Sequence, residues 1–210
     1  MKKIITDSII IVVSVTLAFL AENLREYLNE RSYEKEIIKD IKDDIVGDSI
    51  QFSGFANDIK RELPILDSVI NALDKAKFRP GDTLDFIYLT PRYVLFPRTG
   101  GYSDLKSNYG TNLIQTKKLR RAISGYYELR DYTLLNWTKM HQENQTFIDQ
   151  FLREKYDQLE DSYGLIRSTS KKSDFKNICL TRRNDLAGQL VEFQTQLKKA
   201  RQVIKEIDRE

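Results

Sequence analysis

A long apolar segment near the amino terminus limits what this chain can fold into more than any other feature. Residues 4–21 read IITDSIIIVVSVTLAFLA and contain a single charged residue, Asp7. Eighteen helical residues extend about 27 Å at 1.5 Å per residue, close to the roughly 30 Å hydrocarbon core of a bilayer. The segment therefore predicts one transmembrane helix, with a membrane anchor over residues 1–23.

The flanking residues favour an uncleaved anchor and predict its orientation. A basic start followed by an apolar run is also typical of a signal peptide, which is the alternative interpretation. Cleavage after Ala21 would place bulky Phe19 at the −3 position, whereas cleavage after Ala18 stays open. Lys2 and Lys3 favour a cytoplasmic amino terminus. They therefore predict an inner-membrane protein whose carboxyl-terminal domain is periplasmic.

Asp7 allows two interpretations. It follows Lys3 by four residues, so its carboxylate can lie at the membrane interface beside the lysines. Alternatively it contacts a cation of a partner subunit within the membrane, since intramembrane carboxylates are often functional. The first interpretation is the simpler one, and Asp7 is kept as a candidate intramembrane contact.

Residues 24–74 are predicted to form a stalk and the first helices of a bundle. Apolar residues recur there on three- and four-residue steps, which is the period of an α-helix. They are Leu24, Tyr27, Ile38, Ile41, Ile45, Ile59, Leu63, Leu66, Ile70 and Leu73. Arg31 and Glu34 interrupt the stripe, and Pro64 predicts a kink or a helix start because it lacks a backbone donor.

Residues 116–210 are predicted to form two long bundle helices, the first capped by Thr116. Its apolar stripe consists of Leu119, Ile123, Tyr126, Thr133, Trp137, Met140, Phe147 and Phe151. A polar loop over residues 161–173 precedes the last helix, which starts at Ser173 or Asp174 and has a heptad seam. The seam consists of Leu186, Leu190, Phe193, Leu197, Ala200, Ile204 and Ile207. Heptad spacing predicts packing within the chain or between chains, as in a coiled coil.

Between these two regions, residues 75–115 are predicted to form an irregular segment with a short helix, and the helical pattern fails over residues 75–101. Three prolines predict an irregular insertion over about residues 75–101. They are Pro80, Pro91 and Pro97. Residues 92–96 are predicted to form either a strand or a short extended segment, and a short helix that ends at Gly110 follows. Because long helices of this kind can pack antiparallel, the predicted fold is all-α: a transmembrane helix continuing into an elongated antiparallel helical bundle.

Two segments carry a family resemblance. The first, LAFLAENLREYLNERSYEKEIIKDIKDDI, is an apolar helix that runs into a charged one. The second, YVLFPRTGGYSDLKSNYGTNLIQTKKLRRAISGYYELRD, has an extended segment, an aromatic-x-x-Leu helix, a Gly, an Asn-Leu-Ile stretch and a basic helix ending in a Tyr pair. Both resemble a family of single-pass membrane proteins common in Bacteroidota, although residues 24–28 replace that family's usual Trp. The resemblance implies an anchored helical domain, and the family has no established reaction.

The second segment also supplies the candidate partner contact. Its glycines, tyrosines and asparagines favour close backbone approach and polar contacts, and a basic block follows. The candidate residues are Gly100, Gly101, Tyr102, Asn108, Tyr109, Asn112, Lys117, Lys118, Arg120 and Arg121. The simpler interpretation is structural, with tyrosines packing the bundle, glycines capping helices and a solvated basic face. The alternative is contact with a protein partner or, for the basic block, with acidic partners or anionic lipid headgroups.

Composition and motifs argue against an enzyme, a cofactor, a metal site and nucleic-acid binding. The 34 Lys and Arg residues nearly balance the 31 Asp and Glu residues. One Cys and one His exclude an internal disulfide and an ordinary zinc site. Cys179 is predicted to be a buried apolar residue of the last helix, and His141 an exposed or hydrogen-bonded helical residue. No phosphate-binding, metalloprotease or nucleophile-elbow motif occurs.

The sequence therefore predicts a non-enzymatic structural or accessory subunit of an inner-membrane assembly that contributes an extracytoplasmic helical bundle. Its expected partners are membrane lipid and either another protein or a second copy of the chain. The alternative function is a periplasmic ligand-sensing bundle. Such a sensor would act through a partner protein, because only about three residues precede the membrane helix. A catalytic role would need an active site without a recognised motif.

Overall fold

The computed structural model describes residues 2–74, 95–156 and 169–209, and over these ranges the chain is helical with no strand. Within these ranges the α-helices are α1 (Lys2–Asp74), α2 (Gly100–Asp104), α3 (Lys117–Tyr156) and α4 (Thr169–Ile207). Two short turns lie between α2 and α3. They are a π-helical turn over Leu105–Tyr109 and a 3-10 turn over Thr111–Leu113. The prediction of an all-α helical bundle is confirmed.

Helix α1 runs without interruption for 73 residues. The sequence predicts a stalk followed by further helices over residues 24–74, but the structure has one helix that continues through Gly47 and Pro64. A proline inside a helix costs about 3 kcal/mol. Ile59 and Leu66, on either side of Pro64, are fully buried, and this tertiary packing outweighs the local cost.

The side chains of α1 are described from Ile10 onward. Within the described residues, no helix is long and apolar enough to cross a membrane. The span predicted over residues 4–21 begins ahead of Ile10, and the side chain of Asp7 lies outside the described residues. The membrane anchor stays a prediction.

The irregular segment after α1 is described only from Leu95 onward. Most of the insertion predicted over residues 75–101, including residues 92–94 of the predicted strand or extended segment, lies outside the described residues. Leu95, Phe96 and the next three residues adopt no regular secondary structure. The short helix predicted next is confirmed, because α2 and its π-helical turn end at Gly110. Gly110 has a φ of +73°, a backbone conformation that glycine adopts without steric cost.

Helix α3 follows the sequence prediction closely. Thr116 immediately precedes its first residue, in the position expected of an N-cap. The stripe is fully buried at five of its predicted positions, which are Leu119, Ile123, Tyr126, Thr133 and Trp137. Met140 is half-buried, and the side chains of Phe147 and Phe151 lie outside the described residues.

Helix α4 begins at Thr169, ahead of the predicted Ser173 or Asp174. Apolar periodicity places the start too late because the first turn of a helix needs no buried residue. The rest of the loop predicted over residues 161–173 lies outside the described residues.

Residue contacts divide the chain into two compact units, and each includes part of α1. Unit 1 consists of Met1–Asp44 and Thr99–Arg120. Unit 2 consists of Ile45–Arg98 and Arg121–Glu210.

The hydrophobic core of unit 2 joins α1, α3 and α4. The ring of Phe193 on α4 lies 5.5 Å from the ring of Phe52 on α1 and 5.3 Å from the ring of Trp137 on α3, between centroids. Cys179 belongs to the same core, so the prediction of a buried apolar cysteine is confirmed. Burial raises the pKa of its thiol to about 12.

Helix α4 runs antiparallel to both α1 and α3 in unit 2. Residues late in α1 or α3 contact residues early in α4, whereas earlier residues of α1 and α3 contact later residues of α4. The contacts are Asp67–Arg183 and Phe52–Phe193 for α1, and Asn144–Asp185 and Thr133–Gln196 for α3.

The heptad seam of α4 packs within its own chain, but only one of its two predicted rows is fully buried. That row contains Leu186, Phe193 and Ala200. The other predicted row is half-buried and contains Leu190, Leu197 and Ile204. The second fully buried row runs from Phe175 to Val203 and is polar at its three middle positions, which are Arg182, Gln189 and Gln196. An apolar pattern cannot identify this row, although its members also lie seven residues apart.

Candidate functional site

The predicted contact segment folds back onto α1 within unit 1. The backbone N–H of Gly101 donates to Asp44 Oδ2 at 2.9 Å, and Gly101 is buried. A Cβ at this position would lie 2.6 Å from the backbone nitrogen of Ile41 and 2.8 Å from the carbonyl carbon of Asp40. Only glycine permits such a close approach of two backbones, so Gly101 has a structural role.

We expect Gly101→Ala to separate α2 from α1, because the new methyl group would overlap backbone atoms that cannot rotate away. Overpacking of this kind typically costs about 1–3 kcal/mol. Hydrogen exchange should therefore be faster at the amide of residue 101, and the melting temperature should fall. Gly100→Ala is the matched control, since its Cβ would lie 4.0 Å from the nearest atom, Asp44 Oδ2. Equal exchange rates in the two variants would contradict the close-approach argument.

Glu34 ties the turn before α3 to α1. One of its carboxylate oxygens accepts a hydrogen bond from the backbone N–H of Gln115 at 2.8 Å, and the other accepts one from Arg31. The residue is only 5% exposed. Buried polar groups need hydrogen-bond partners, which explains why a glutamate can interrupt the apolar stripe here.

A cavity of about 570 Å³ lies between α1 and the turns after α2, entirely within unit 1. Helix α1 lines it with residues three or four positions apart, which share one helix face. They are Glu22, Arg25, Glu26, Asn29, Glu30 and Tyr33. The turns contribute Tyr109, Asn112, Leu113 and Gln115. The volume is within the range of small-molecule sites, which is about 300–1,000 Å³.

The cavity is negatively charged although the chain carries a net charge of +3. Three glutamates and one arginine line it, which leaves two uncompensated negative charges. Arg25 donates to Glu22 Oε1 at 2.6 Å. Glu26 and Glu30, one helical turn apart, have no ion-pair partner among the described residues. Two carboxylates are thus free to bind a ligand.

Two tyrosines stack at the cavity wall. The ring centroids of Tyr33 and Tyr109 are 5.4 Å apart and their planes meet at 29°. Both side chains are nearly half exposed. Stacked aromatic pairs contribute about 0.5–1.5 kcal/mol beyond their burial. The pair therefore helps to hold the turn against α1 and gives the cavity an aromatic wall.

Of the predicted contact residues, the structure brings Tyr109 and Asn112 to this cavity. Tyr102 is half-buried, with the ammonium of Lys106 5.5 Å from its ring centroid. Arg120 donates to Asn112 Oδ1 and so supports the cavity from outside its lining. Asn108 is exposed, and so are the other three residues of the basic block, which are Lys117, Lys118 and Arg121.

Unit 2 contains a polar site that no pattern in the sequence predicts. Asp48 and Arg130 are both 2% exposed and form an ion pair, with 3.2 Å between Oδ2 and Nη1. Asp48 also accepts hydrogen bonds from the Tyr126 hydroxyl at 3.1 Å and from the backbone N–H of Arg98 at 2.9 Å. Nη1 of Arg130 donates to the carbonyl oxygen of Arg98 at 2.6 Å. The site therefore fixes Arg98 to both α1 and α3.

The charges of this polar site are satisfied internally. Burial, together with the charge of Asp48, raises the pKa of the Tyr126 hydroxyl, which is therefore a neutral donor. Burial lowers the pKa of the Arg130 guanidinium, but the hydrogen bonds and charges of Asp131 and Asp48 outweigh this effect and raise it. The guanidinium also lies 4.4 Å from the ring centroid of Tyr127. We assign the site a structural role.

Among the residues that the structure describes, no group of three or more His, Cys, Asp or Glu residues could hold a metal ion. The side chain of His141 lies outside that part of the chain. Comparison of the chain with models of protein families, with curated proteins and with solved structures finds no match. The resemblance to the Bacteroidota membrane family stays a prediction.

Proposed function

We propose that the protein is a non-enzymatic structural or accessory subunit of an inner-membrane assembly, anchored by the first part of α1. The observation that carries this proposal is the exposure of apolar side chains all around that part of the helix. The exposed residues are Ile10, Ile11, Val12, Val13, Val15, Leu17, Phe19 and Leu20. Successive helical residues lie about 100° apart, so these eight leave no polar face.

Lipid is the partner that fits such a helix. A docked protein surface would cover one side of it, whereas a bilayer covers every side. Backbone groups within the helix are paired, and the hydroxyl of Thr16 donates to the carbonyl oxygen of Val12 at 2.8 Å. The polar hydroxyl at this position is therefore satisfied without water.

The apolar residues outweigh the aspartate near the start of the segment. Eleven Ile, Val, Leu and Phe residues lie between Ile4 and Leu20. On a membrane-insertion scale each contributes about 0.3–0.6 kcal/mol, which gives roughly 3–7 kcal/mol in total. An aspartate at the centre of a membrane helix costs about 2.5–3.5 kcal/mol. Asp7 lies near one end of the segment, where the cost is smaller, so insertion is favourable.

The remaining parts of the proposal follow from charge and chemistry. Lys2 and Lys3 support a cytoplasmic amino terminus and hence a periplasmic bundle. The Cys179 thiol is buried and protonated at neutral pH, which removes a nucleophile. Near balance of charges disfavours nucleic acid as a partner, and the resemblance to anchored Bacteroidota proteins supports a helical domain held at the membrane. We expect membrane lipid together with a protein partner or a second copy of the chain.

Cell fractionation tests the anchor. The full chain should stay in the membrane pellet after carbonate extraction. The double variant Val13→Arg, Leu17→Arg should move to the soluble fraction, because two arginines near the helix centre cost about 5–7 kcal/mol. The control Ile50→Arg, Val191→Arg changes two apolar residues that are similarly exposed, at 69% and 62%, but lie in unit 2. It should stay in the pellet. Extraction of the unaltered chain by carbonate would contradict the proposal.

A reporter fusion tests the orientation separately. Alkaline phosphatase fused after Glu210 should be active, because this enzyme needs the oxidising periplasm to form its disulfides. Activity only from a cytoplasmic reporter at the same position would reverse the proposed topology.

The cavity of unit 1 favours the second candidate function, a ligand-sensing bundle that acts through a partner protein. The cavity begins at Glu22, directly after the apolar segment on the same helix. A ligand bound there would contact the helix that enters the proposed membrane span. Native mass in mild detergent separates the two functions, because only a sensor changes its association with a partner when the cavity is filled.

A further inference from the structure

The unpaired carboxylates of the unit 1 cavity determine which charge a ligand must carry. Glu26 and Glu30 lie one turn apart on the same face of α1 and have no cationic partner among the described residues. Ionised carboxylates only accept hydrogen bonds, and their bonds to charged donors are roughly twice as strong as those between neutral groups. A primary ammonium group has three N–H donors and can be shared between two carboxylates.

The stacked tyrosines distinguish a primary ammonium from a quaternary one. Quaternary ammonium groups are usually bound by open aromatic faces, with the cation within about 6 Å of each ring centroid. Here the rings of Tyr33 and Tyr109 face each other at 5.4 Å, so they cover one another's inner faces and leave no space between them for a cation. The attraction must come mainly from the carboxylates, which favour a cation that donates hydrogen bonds.

Arg25 adds a site for an anion beside the carboxylates. A guanidinium has five N–H donors, and the structure shows one of them donated to Glu22. The remaining donors can bind phosphate oxygens, and a guanidinium suits phosphate geometry. We propose that the cavity binds a zwitterion that carries a primary ammonium group and a phosphodiester, the chemistry of glycerophosphoethanolamine.

The position of the cavity on α1 indicates the source of this ligand. Headgroup layers occupy about 5–7 Å on each side of the hydrocarbon core, and a helix rises 1.5 Å per residue. If residues 4–21 span the membrane, Arg25 and Glu26 lie at headgroup depth. A phosphatidylethanolamine headgroup is therefore the favoured source, and this step rests on the proposed anchor. Soluble glycerophosphoethanolamine, a phosphodiester of the same charge, has the same chemistry and does not require the anchor.

Calorimetric titration of the full chain in detergent tests the chemistry. Glycerophosphoethanolamine should bind at least tenfold more tightly than glycerophosphocholine, whose quaternary ammonium has no N–H donor. The double variant Glu26→Gln, Glu30→Gln should abolish this preference. The control Glu36→Gln, Asp43→Asn neutralises two exposed carboxylates of the same helix that do not line the cavity, and should retain it. Unchanged melting temperatures in both double variants would show that the fold is intact.

Native mass spectrometry tests the source. The chain is released from nanodiscs that contain equal amounts of phosphatidylethanolamine and phosphatidylcholine. Retention of phosphatidylethanolamine by the unaltered chain and the control, but not by Glu26→Gln, Glu30→Gln, would identify the headgroup as the ligand. Selective calorimetric binding without lipid retention would support the soluble zwitterion. Equal binding of the ethanolamine and choline compounds in both experiments would overturn the proposal. The calorimetric result stands even if carbonate extraction contradicts the anchor.

Discussion

Asp48→Asn should lower the free energy of unfolding by about 3–5 kcal/mol, because it leaves the buried Arg130 guanidinium without its buried counter-charge. The two side chains are almost completely inaccessible to water, so solvent cannot compensate for the lost carboxylate. Arg98 depends on the same site, through its backbone N–H to Asp48 and its carbonyl oxygen to Arg130. Chemical denaturation at neutral pH, followed by circular dichroism, measures the loss.

Asp131→Asn is the matched control for this prediction. Asp131 binds the same guanidinium, with 2.8 Å between Oδ1 and Nη2, but its side chain is 64% exposed. Exposed ion pairs contribute about 0–1 kcal/mol, so the control should lose little stability. Tyr126→Phe removes one hydrogen bond to the charged Asp48 carboxylate and should cost about 1.5–3 kcal/mol, which keeps the test measurable if Asp48→Asn does not fold. Equal losses for Asp48→Asn and Asp131→Asn would contradict the structural role of the buried pair.

Phe193→Ala should cost about 3–5 kcal/mol, which is the usual loss for a phenylalanine removed from a core. The ring is fully buried and contacts Phe52 on α1 and Trp137 on α3, so its removal leaves a cavity at the junction of three helices. Trp137 is the single tryptophan of the chain, and its fluorescence should report the change directly.

Val191→Ala provides the comparison on the same helix. Val191 is 62% exposed, and surface substitutions of this kind usually change stability by less than about 0.5 kcal/mol. A small loss for Phe193→Ala, similar to that for Val191→Ala, would show that the α4 seam is not a core element.

The sequence predicts the helices well because apolar spacing reflects burial directly. Leu186 and Phe193 lie seven residues apart and are both fully buried, and the stripe on α3 is equally clear. Pro64 does not start a new helix, because the packing around it outweighs a local cost that is visible in the sequence, whereas the packing itself is not visible there. An apolar pattern misses the polar row on α4 for a similar reason, because the sequence does not distinguish a buried glutamine from an exposed one.

The candidate site was only half predictable. Tyr109 and Asn112 stand out by residue type in a segment rich in Gly, Tyr and Asn. The opposite wall of the cavity, from Glu22 to Tyr33, has the composition of a solvated charged helix. Its role depends on which face of α1 meets a turn about eighty residues later in the chain, and local sequence does not contain that information. Asp48 and Arg130 are hidden in the same way, because each appears as an ordinary charged residue until the two are paired.

The polar row of α4 has a consequence for the alignment of the helices in unit 2. A heptad pattern repeats, so sliding α4 by seven residues would place one apolar residue of its buried row where another had been. The pair formed by Arg182 and Glu62, whose charged atoms lie 4.0 Å apart, has no such equivalent, because glutamine occupies the next position of the row. Separating two buried charges costs about 3–5 kcal/mol. The apolar pattern alone repeats in several registers of this helix, and the ion pair, together with the size of the Phe193 ring, selects one of them.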